Sequence, residues 1–348
     1  FRPDIIHCHD WQTGIVPVYM KERFSQDFFW GMKSIMTIHN LKFQGIYDTK
    51  TIKDATGLPA SFFAPDKLEA YGDANLLKGG IVYADAVTTV SQSYAEEIKM
   101  PFYGERLDGL IRARENSLCG IVNGIDTEVY NPETDPMIFK NFTVDTLTDK
   151  AINKSELQKQ MGLPEKADAP IVGIVTRLVS HKGLDLVRGG IEDILNNNDV
   201  QFVVLGSGDK EYEDFFRGLH QRYPGRVCFC PGYVPELARK IYAGSDIFLM
   251  PSKSEPCGLS QMIALRYGSV PVVREVGGLR DSIHDSQDGY GNGFTFKNYD
   301  AYDMLYVLRQ AVNTYRNKDE WQRVIDNAMR SDFTWKLLAG KYEDLYNK

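Results

Sequence analysis

Two positively charged residues on one turn are the most chemically informative feature of the sequence. Arg177 and Lys182 follow a short apolar run, residues 171–175, and precede an amphipathic helical pattern that begins near Gly183. Such a run is typical of a strand in a parallel sheet, where ligands bind at the carboxyl ends of the strands. Two fixed cations beside a helix N-terminus favour a doubly charged phosphate group. On this segment alone, a surface turn whose cations pair with nearby acids is an equally good interpretation.

A second candidate segment, residues 255–258 (EPCG), ends a strand and opens a helix. Proline and glycine there expose the N–H groups of Gly258, Leu259 and Ser260 at a helix N-terminus. Gly278 opens a further helix in the same way. Two helix N-termini and two cations that converge on one cleft would bind a diphosphate without a metal ion.

Glu255 is a carboxylate among groups suited to anions, and it has two interpretations. It is either a first-turn acid favoured by the helix dipole, or it binds sugar hydroxyls and faces positive charge at an anomeric carbon. Gly206 and Gly208 allow backbone to approach a ligand, although a lone GxG is more often a tight turn. Tyr233 offers a flat ring, for which packing is the more common role.

Polar residues also follow the strands predicted in the first half of the chain. Asp10 follows strand 4–8 and is either a sugar-facing acceptor or a helix cap. His39 follows strand 34–38 and precedes a glycine and aromatic loop, LKFQGIY, that suits a sugar ring. Asn123 is either part of a plain turn or a bend at a site between domains.

A metal site built from His7, His9 and Asp10 is conceivable, because the two histidines share one face of the strand. No other His, Asp or Cys cluster completes such a site, so we predict no metal ion. We likewise predict no cofactor.

The elements that must position these residues follow a regular order after residue 170, where each strand leads through a short loop into a helix. This alternation predicts a doubly wound parallel sheet. The strands are 171–175, 201–205, 227–230, 247–250 and 270–273, and long helices over 299–330 follow. The first half carries four shorter strands, 4–8, 34–38, 86–90 and 120–122. We predict domains at 1–150 (with the linker), at 151–330, and a C-terminal helix at 331–348.

Composition excludes several classes of function. The chain has 348 residues, is 43% hydrophobic and has a formal net charge of -7, which argues against nucleic acid or anionic lipid as a main partner. No apolar run approaches the roughly 18 residues of a membrane span. Five scattered cysteines are typical of reduced thiols in a cytoplasmic protein.

Several motifs resemble those of one enzyme family. IVNGID, TRLVSHKGLDL, GYVPE, EPCGLSQ and VGGLRDSI, with HNLKFQG upstream, are similar to the motifs of bacterial glycogen synthase and plant starch synthase. The resemblance runs from residue 4 to the C-terminus. It implies a retaining glucosyltransferase of the α/β GT-B fold, with two Rossmann-like domains facing a cleft. It also implies ADP-glucose, or UDP-glucose, as donor and the non-reducing end of an α-1,4-glucan as acceptor, in the cytoplasm or in a plastid.

The same resemblance implies roles for individual residues. Arg177 and Lys182 would hold the donor phosphates, and Glu255, with the backbone of Cys257 and Gly258, would bind the glucosyl unit. The remaining roles fall to His39 at the sugar, Asp10 and Asn123 near the sugar and acceptor, and Tyr233 near the adenine.

Two departures from the wider family are visible. Many retaining relatives carry a second glutamate eight positions after the first, where this chain has Ile263, as is usual in this subfamily. The family's N-terminal lysine-glycine-glycine loop would lie before Phe1, so we expect the first domain to be incomplete at its N-terminus. The alternatives to glucan synthesis are another GT-B enzyme, such as a nucleotide-sugar epimerase, and a non-catalytic glucan-binding fragment.

Overall fold

The computed structural model describes residues 1–26 and 28–348. Its internal contacts divide the chain into two compact units. The first comprises residues 1–123 and 339–348, and the second comprises residues 124–338.

The first unit is built on a parallel sheet of four short strands. The strands of the whole unit are β1 (Ile5–His9), β2 (Lys33–Ile38), β3 (Ile46–Tyr47), β4 (Glu69–Ala70), β5 (Asp73–Asn75), β6 (Ala86–Thr89) and β7 (Leu118–Gly120). Its helices are α1 (Ile15–Val18), α2 (Thr49–Thr56), α3 (Leu76–Tyr83), α4 (Gln92–Glu97) and α5 (Asp108–Ala113). The parallel sheet has the order β1-β2-β6-β7, and β3, β5 and β4 form a small antiparallel sheet. Three helices begin where the sequence supplies an N-cap: Asp48, Asn75 and Ser91 each accept a backbone N–H.

The second unit contains a six-stranded parallel sheet with helices in each connection. Its strands are β8 (Ile171–Val175), β9 (Gln201–Gly206), β10 (Val227–Pro231), β11 (Ile247–Met250), β12 (Val270–Arg274) and β13 (Phe294–Phe296). Its helices are α6 (Leu147–Gln160), α7 (Leu184–Asn197), α8 (Lys210–Arg222), α9 (Pro235–Gly244), α10 (Ser260–Arg266), α11 (Gly277–Ser282), α12 (Ala301–Arg316) and α13 (Lys318–Met329). Strands β8, β9 and β11 are buried along their whole length, as their apolar runs predict.

The last helix, α14 (Trp335–Tyr346), is divided by its contacts: residues to Leu338 belong with the second unit and residues from Ala339 with the first. Shorter turns complete the chain. Five are 3-10 turns, at Trp11–Thr13, Ala60–Phe62, Glu115–Ser117, Ser180–Lys182 and Ser286–Asp288, and one π turn spans Tyr19–Arg23. Among the helices of the described residues, none combines the length and apolar character needed to cross a membrane.

The structural division at residue 123 differs from the predicted one at residue 150. Residues 124–150 contact the rest of the second unit through buried polar groups. Arg239 lies 3.0 Å from Asp135 Oδ2, and Asn153 Oδ1 accepts the N–H of Phe139 at 3.1 Å. These contacts stabilise the fold, because a buried charge or polar group without a partner would cost free energy of folding.

Two expectations about the strands need correction. Strand β13 lies outside the prediction, since its three residues follow a glycine-rich loop and are too few to show a pattern. The sequence also did not predict the small sheet of β3, β4 and β5, because its strands are too short to show a pattern. The predicted strand 120–122 is β7, two residues earlier.

Candidate functional site

In the second unit, the direction in which the chain adds strands to the sheet reverses between β8 and β11. Its order is β10-β9-β8-β11-β12-β13, so the chain first builds outward from β8 and then returns to the other side of β8 with β11. This is the strand order 3-2-1-4-5-6 of dinucleotide-binding folds. The carboxyl ends of β8 and β11 therefore flank the position where such sheets bind ligands.

A cavity of about 380 Å³ lies at this position, and residues of the second unit line it. Seven of the predicted site residues contribute to its wall: Arg177, Lys182, Gly206, Tyr233, Glu255, Gly258 and Leu259. Sequence reasoning had not assigned Tyr130, Thr176, Ser207, Arg239 and Tyr242, which also line it.

Arg177 and Lys182 reach the cavity in different electrostatic states. Lys182 Nζ lies 2.7 Å from Glu255 Oε2, and the same oxygen accepts the Ser252 hydroxyl at 2.9 Å. Glu255 is 7% exposed, so this pair is shielded from water. The guanidinium of Arg177 is exposed and has no ion-pair or hydrogen-bond partner among residues 1–26 and 28–348. Arg177 is therefore a cation of the cavity wall whose charge no described residue neutralises.

The backbone at Gly183 explains how Lys182 meets Glu255. Gly183 has φ +73°, which favours glycine, and a Cβ there would lie 1.9 Å from the carbonyl oxygen of Pro251. The loop after β8 therefore packs directly on the loop after β11. That contact carries the lysine of one loop to the carboxylate of the other.

Gly206 and Gly208 bring the loops after β8 and β9 together. A Cβ at Gly206 would lie 2.1 Å from the Thr176 carbonyl oxygen, and one at Gly208 would lie 2.4 Å from the Leu178 carbonyl oxygen. Gly206 lines the cavity and Gly208 does not. The N–H of Gly208 donates to Glu213 Oε1 at 3.0 Å, so the structure gives it a partner inside the protein.

Gly278 and Cys257 also lie outside the cavity wall. The N–H of Gly278 donates to the carbonyl oxygens of Glu255 at 3.0 Å and Pro256 at 3.2 Å. A Cβ at Gly278 would lie 2.0 Å from the Cys257 carbonyl oxygen. The structure thus uses Gly278 to hold the loop that carries Glu255, and not as the exposed N–H group that the sequence suggested.

Aromatic residues line another part of the cavity. Tyr233 is 67% exposed. The Arg239 guanidinium lies 3.9 Å from the centre of the Tyr130 ring and donates to Asp135 Oδ2 at 3.0 Å. Burial raises the pKa of Tyr242, which keeps this phenol protonated. Tyr130 belongs to no predicted strand or helix, and the sequence pattern gives no sign that it lines the cavity.

In the first unit, Asp10 and His39 are in direct contact. Asp10 follows β1 with φ +56°, an unusual value for a residue other than glycine, and its Oδ1 accepts the His39 N–H at 2.8 Å. His39 Nε2 lies 3.0 Å from His9 Nδ1. Asn123 is the last residue of this unit, and its described contacts do not join it to Asp10 or His39.

His7 and His9 stack at 4.4 Å, which confirms that they share one face of β1. His7 also contacts Thr37 Oγ1 at 2.6 Å and the Tyr346 hydroxyl at 2.7 Å. Burial and the two neighbouring histidines lower the pKa of His7 to about 4, and burial and His39 lower that of His9. Within the described residues, no group of three or more His, Cys, Asp or Glu side chains is placed to hold a metal ion.

The chain matches two family models in succession. Residues 1–113 match the starch synthase catalytic domain, and residues 154–329 match glycosyl transferases group 1. A glycogen synthase of Lachnospira eligens is 57% identical over the whole chain, which spans 73% of that relative. Glycogen synthases of Lachnoclostridium phytofermentans and Geobacillus stearothermophilus are 54% and 47% identical, over 99% and 100% of the chain and 73% and 72% of each relative.

Solved structures show the same relationship. The catalytic domain of starch synthase IV from Arabidopsis thaliana, bound to ADP and acarbose, matches with a TM-score of 0.93 at 37% identity. The match covers 99% of this chain and 73% of that one. A sucrose-phosphate synthase from Thermosynechococcus elongatus matches with a TM-score of 0.63 at 19% identity. That match covers 99% of this chain and 73% of the other chain, and it shows a shared fold alone.

The two parallel sheets and these matches define a glycosyltransferase of the GT-B fold, as predicted. Within that class, the chain belongs to the glycogen synthase and starch synthase family.

Proposed function

We propose that the protein transfers glucose from ADP-glucose to the non-reducing end of an α-1,4-glucan with retention of configuration. The observation that carries the proposal is Arg177, an unneutralised cation beside Lys182 at the switch point of a Rossmann-like sheet. A diphosphate is the ligand chemistry that such a pair recognises. The related starch synthase IV structure holds ADP, which supports adenine as the base.

In this proposal, the bond between the anomeric carbon and the diphosphate breaks as charge develops on the leaving oxygen. Arg177 and Lys182 stabilise that charge, so neither a metal ion nor a cofactor takes part. The glucosyl unit passes through an oxocarbenium-like state while the acceptor hydroxyl attacks the same face. By analogy with the family, no covalent intermediate forms, and the hydroxyl proton leaves with the diphosphate.

In this proposal, Glu255 pairs with Lys182 and also contacts the glucosyl unit. Lys182 and Ser252 hold its Oε2, which fixes the carboxylate at the cavity wall. A carboxylate held in this way accepts hydrogen bonds from glucosyl hydroxyls and faces the positive anomeric carbon. The family resemblance assigns the remaining glucosyl contacts to the backbone of Cys257 and Gly258, of which only Gly258 lines the cavity, and Tyr233 stacks on the adenine.

We assign the first unit's residues from the family resemblance. His39 contacts the transferred sugar, and Asp10 and Asn123 lie near the sugar and the acceptor. The hydrogen bond from His39 N–H to Asp10 is consistent with a shared role, because it fixes the ends of β1 and β2 together. We propose the cytoplasm as the site of the reaction, since the five cysteines form no disulfide within the described residues and so fit a reducing compartment.

Transfer of radiolabelled glucose into glycogen tests the proposal directly. We expect label from ADP-glucose to enter glycogen, to be released by an enzyme specific for α-1,4 linkages, and to exceed the label from UDP-glucose. Donor turnover without label in glycogen would favour an epimerase. Binding of glucan and ADP with no turnover of either donor would favour the non-catalytic fragment.

A further inference from the structure

Three sulfur atoms meet beside strand β10 in the second unit. Cys228 Sγ lies 3.9 Å from Cys230 Sγ and 3.8 Å from Met161 Sδ. The distance from Cys230 Sγ to Met161 Sδ is 3.7 Å. The three atoms therefore form a nearly equilateral triangle.

The sequence produces this triangle through two local rules. Side chains two residues apart on a strand point to one face, so Cys228 and Cys230 face the same way. Phe229 points to the other face, where its ring packs on that of Phe216. Met161 follows directly after α6 and closes the triangle.

We propose that Met161, Cys228 and Cys230 bind a soft monovalent cation, Cu⁺ or Ag⁺, in three-coordinate sulfur geometry. An ion at the centre of a triangle with sides near 3.8 Å lies about 2.2 Å from each sulfur, close to the usual length of metal–thiolate bonds. Thiolate and thioether sulfur are the ligands that select Cu⁺ over harder ions. No side chain has to move far to form the site.

Both thiols bind the ion as thiolates, so two protons pass to solvent as the metal–sulfur bonds form.

The site is reachable and is separate from the donor cavity. Cys228 is 8% exposed, whereas Cys230 and Met161 are half-buried and give the ion an entry path. None of the three residues lines the cavity that we assign to the nucleotide sugar. If the chain binds no metal ion at these sulfur atoms, the proposed glucosyl transfer is not affected.

Competition for Cu⁺ against a chromophoric chelator, in oxygen-free buffer with the whole chain, tests the proposal. We expect one tight equivalent in the wild type and a loss of affinity on the order of 100-fold in Cys228→Ser and in Cys230→Ser. Met161→Leu, which keeps the side-chain volume, weakens binding on the order of tenfold. Cys119→Ser removes another half-buried thiol and serves as the matched control, with unchanged affinity.

X-ray absorption at the copper edge gives a second readout that does not depend on stability. Three sulfur neighbours at about 2.2 Å are expected in the wild type, and two in Met161→Leu. A tight equivalent that survives in the double variant Cys228→Ser/Cys230→Ser would overturn the proposal. A copper environment identical in the wild type and Met161→Leu would overturn the three-sulfur site.

Discussion

At the scale of single residues, Arg177 and Lys182 carry the same charge in different surroundings. Lys182 is mostly buried and neutralised by Glu255 at 2.7 Å, whereas Arg177 is exposed and unpaired within the described part of the chain. A buried partner contributes to stability because its removal leaves an uncompensated charge. An exposed cation without a partner contributes little to stability and is available for a ligand.

This contrast predicts that replacing the lysine and replacing the arginine have effects of different size on stability. Lys182→Met leaves the Glu255 carboxylate without its cation, so we expect the free energy of unfolding to fall by about 2 kcal/mol. Arg177→Met should change it by less than about 0.5 kcal/mol. Chemical denaturation followed by circular dichroism measures both. Equal losses in the two variants would show that the ion pair does not have the structural role described.

The histidines of β1 predict a dependence of stability on pH. The pKa of His7 is lowered from 6.5 to about 4 in the folded protein, so the unfolded chain binds the proton more readily between these values. Stability therefore falls as the pH drops from about 6.5 towards 4. Partial exposure screens the effect, which we place at about 1 kcal/mol.

His7→Gln tests this expectation in denaturation curves measured across that pH range. The variant should lose part of the acid-dependent decline, while His284→Gln, at an exposed histidine outside the cluster, should retain it. An unchanged decline in His7→Gln would assign the acid sensitivity to other groups.

At the scale of elements, the site depends on loops that pack backbone against backbone. The turn at Gly277 and Gly278 rests on the loop that carries Glu255, with the Gly278 N–H bonded to the carbonyl oxygens of Glu255 and Pro256. Such contacts leave no room for a side chain. The position of Glu255 is thus set by a segment that does not touch the cavity.

Gly278→Ala should disturb both stability and the site. The new Cβ would lie 2.0 Å from the Cys257 carbonyl oxygen, so the loop must shift, at a cost of about 1–3 kcal/mol. Thermal melting and ADP titration measure the two effects, and both should weaken. The control is Gly340→Ala, where a Cβ meets nothing within 4 Å and a helical alanine is favourable. A Gly278→Ala protein with wild-type melting and ADP affinity would contradict the role of this turn.

The same elements show how far the sequence leads. Strands β8, β9 and β11 are predictable because their apolar runs are long enough to be recognised in the sequence. Arg177 and Lys182 are found because they follow such a strand. The use of Gly208 and Gly278 inside the protein depends on carbonyl groups of other loops, which no local pattern reports. Tyr130 was missed because its position is fixed by Arg239, far away in the sequence.

At the scale of the whole molecule, each of the two units has its own parallel sheet, and the cavity with the unneutralised cation belongs to the second. The family and the GT-B class are established by matches along the full chain. In our proposal, the affinity for the nucleotide diphosphate therefore depends on contacts that the second unit supplies. That dependence is the central claim about function, and it can be measured without turnover.

Calorimetric titration of the chain with ADP tests it most directly. Arg177→Ala should raise the dissociation constant on the order of 10- to 100-fold, the usual effect of losing a charge-assisted phosphate contact. Arg217→Ala, at an exposed arginine of α8 away from the cavity, is the matched control and should bind ADP like the wild type. Wild-type affinity in Arg177→Ala would contradict the account.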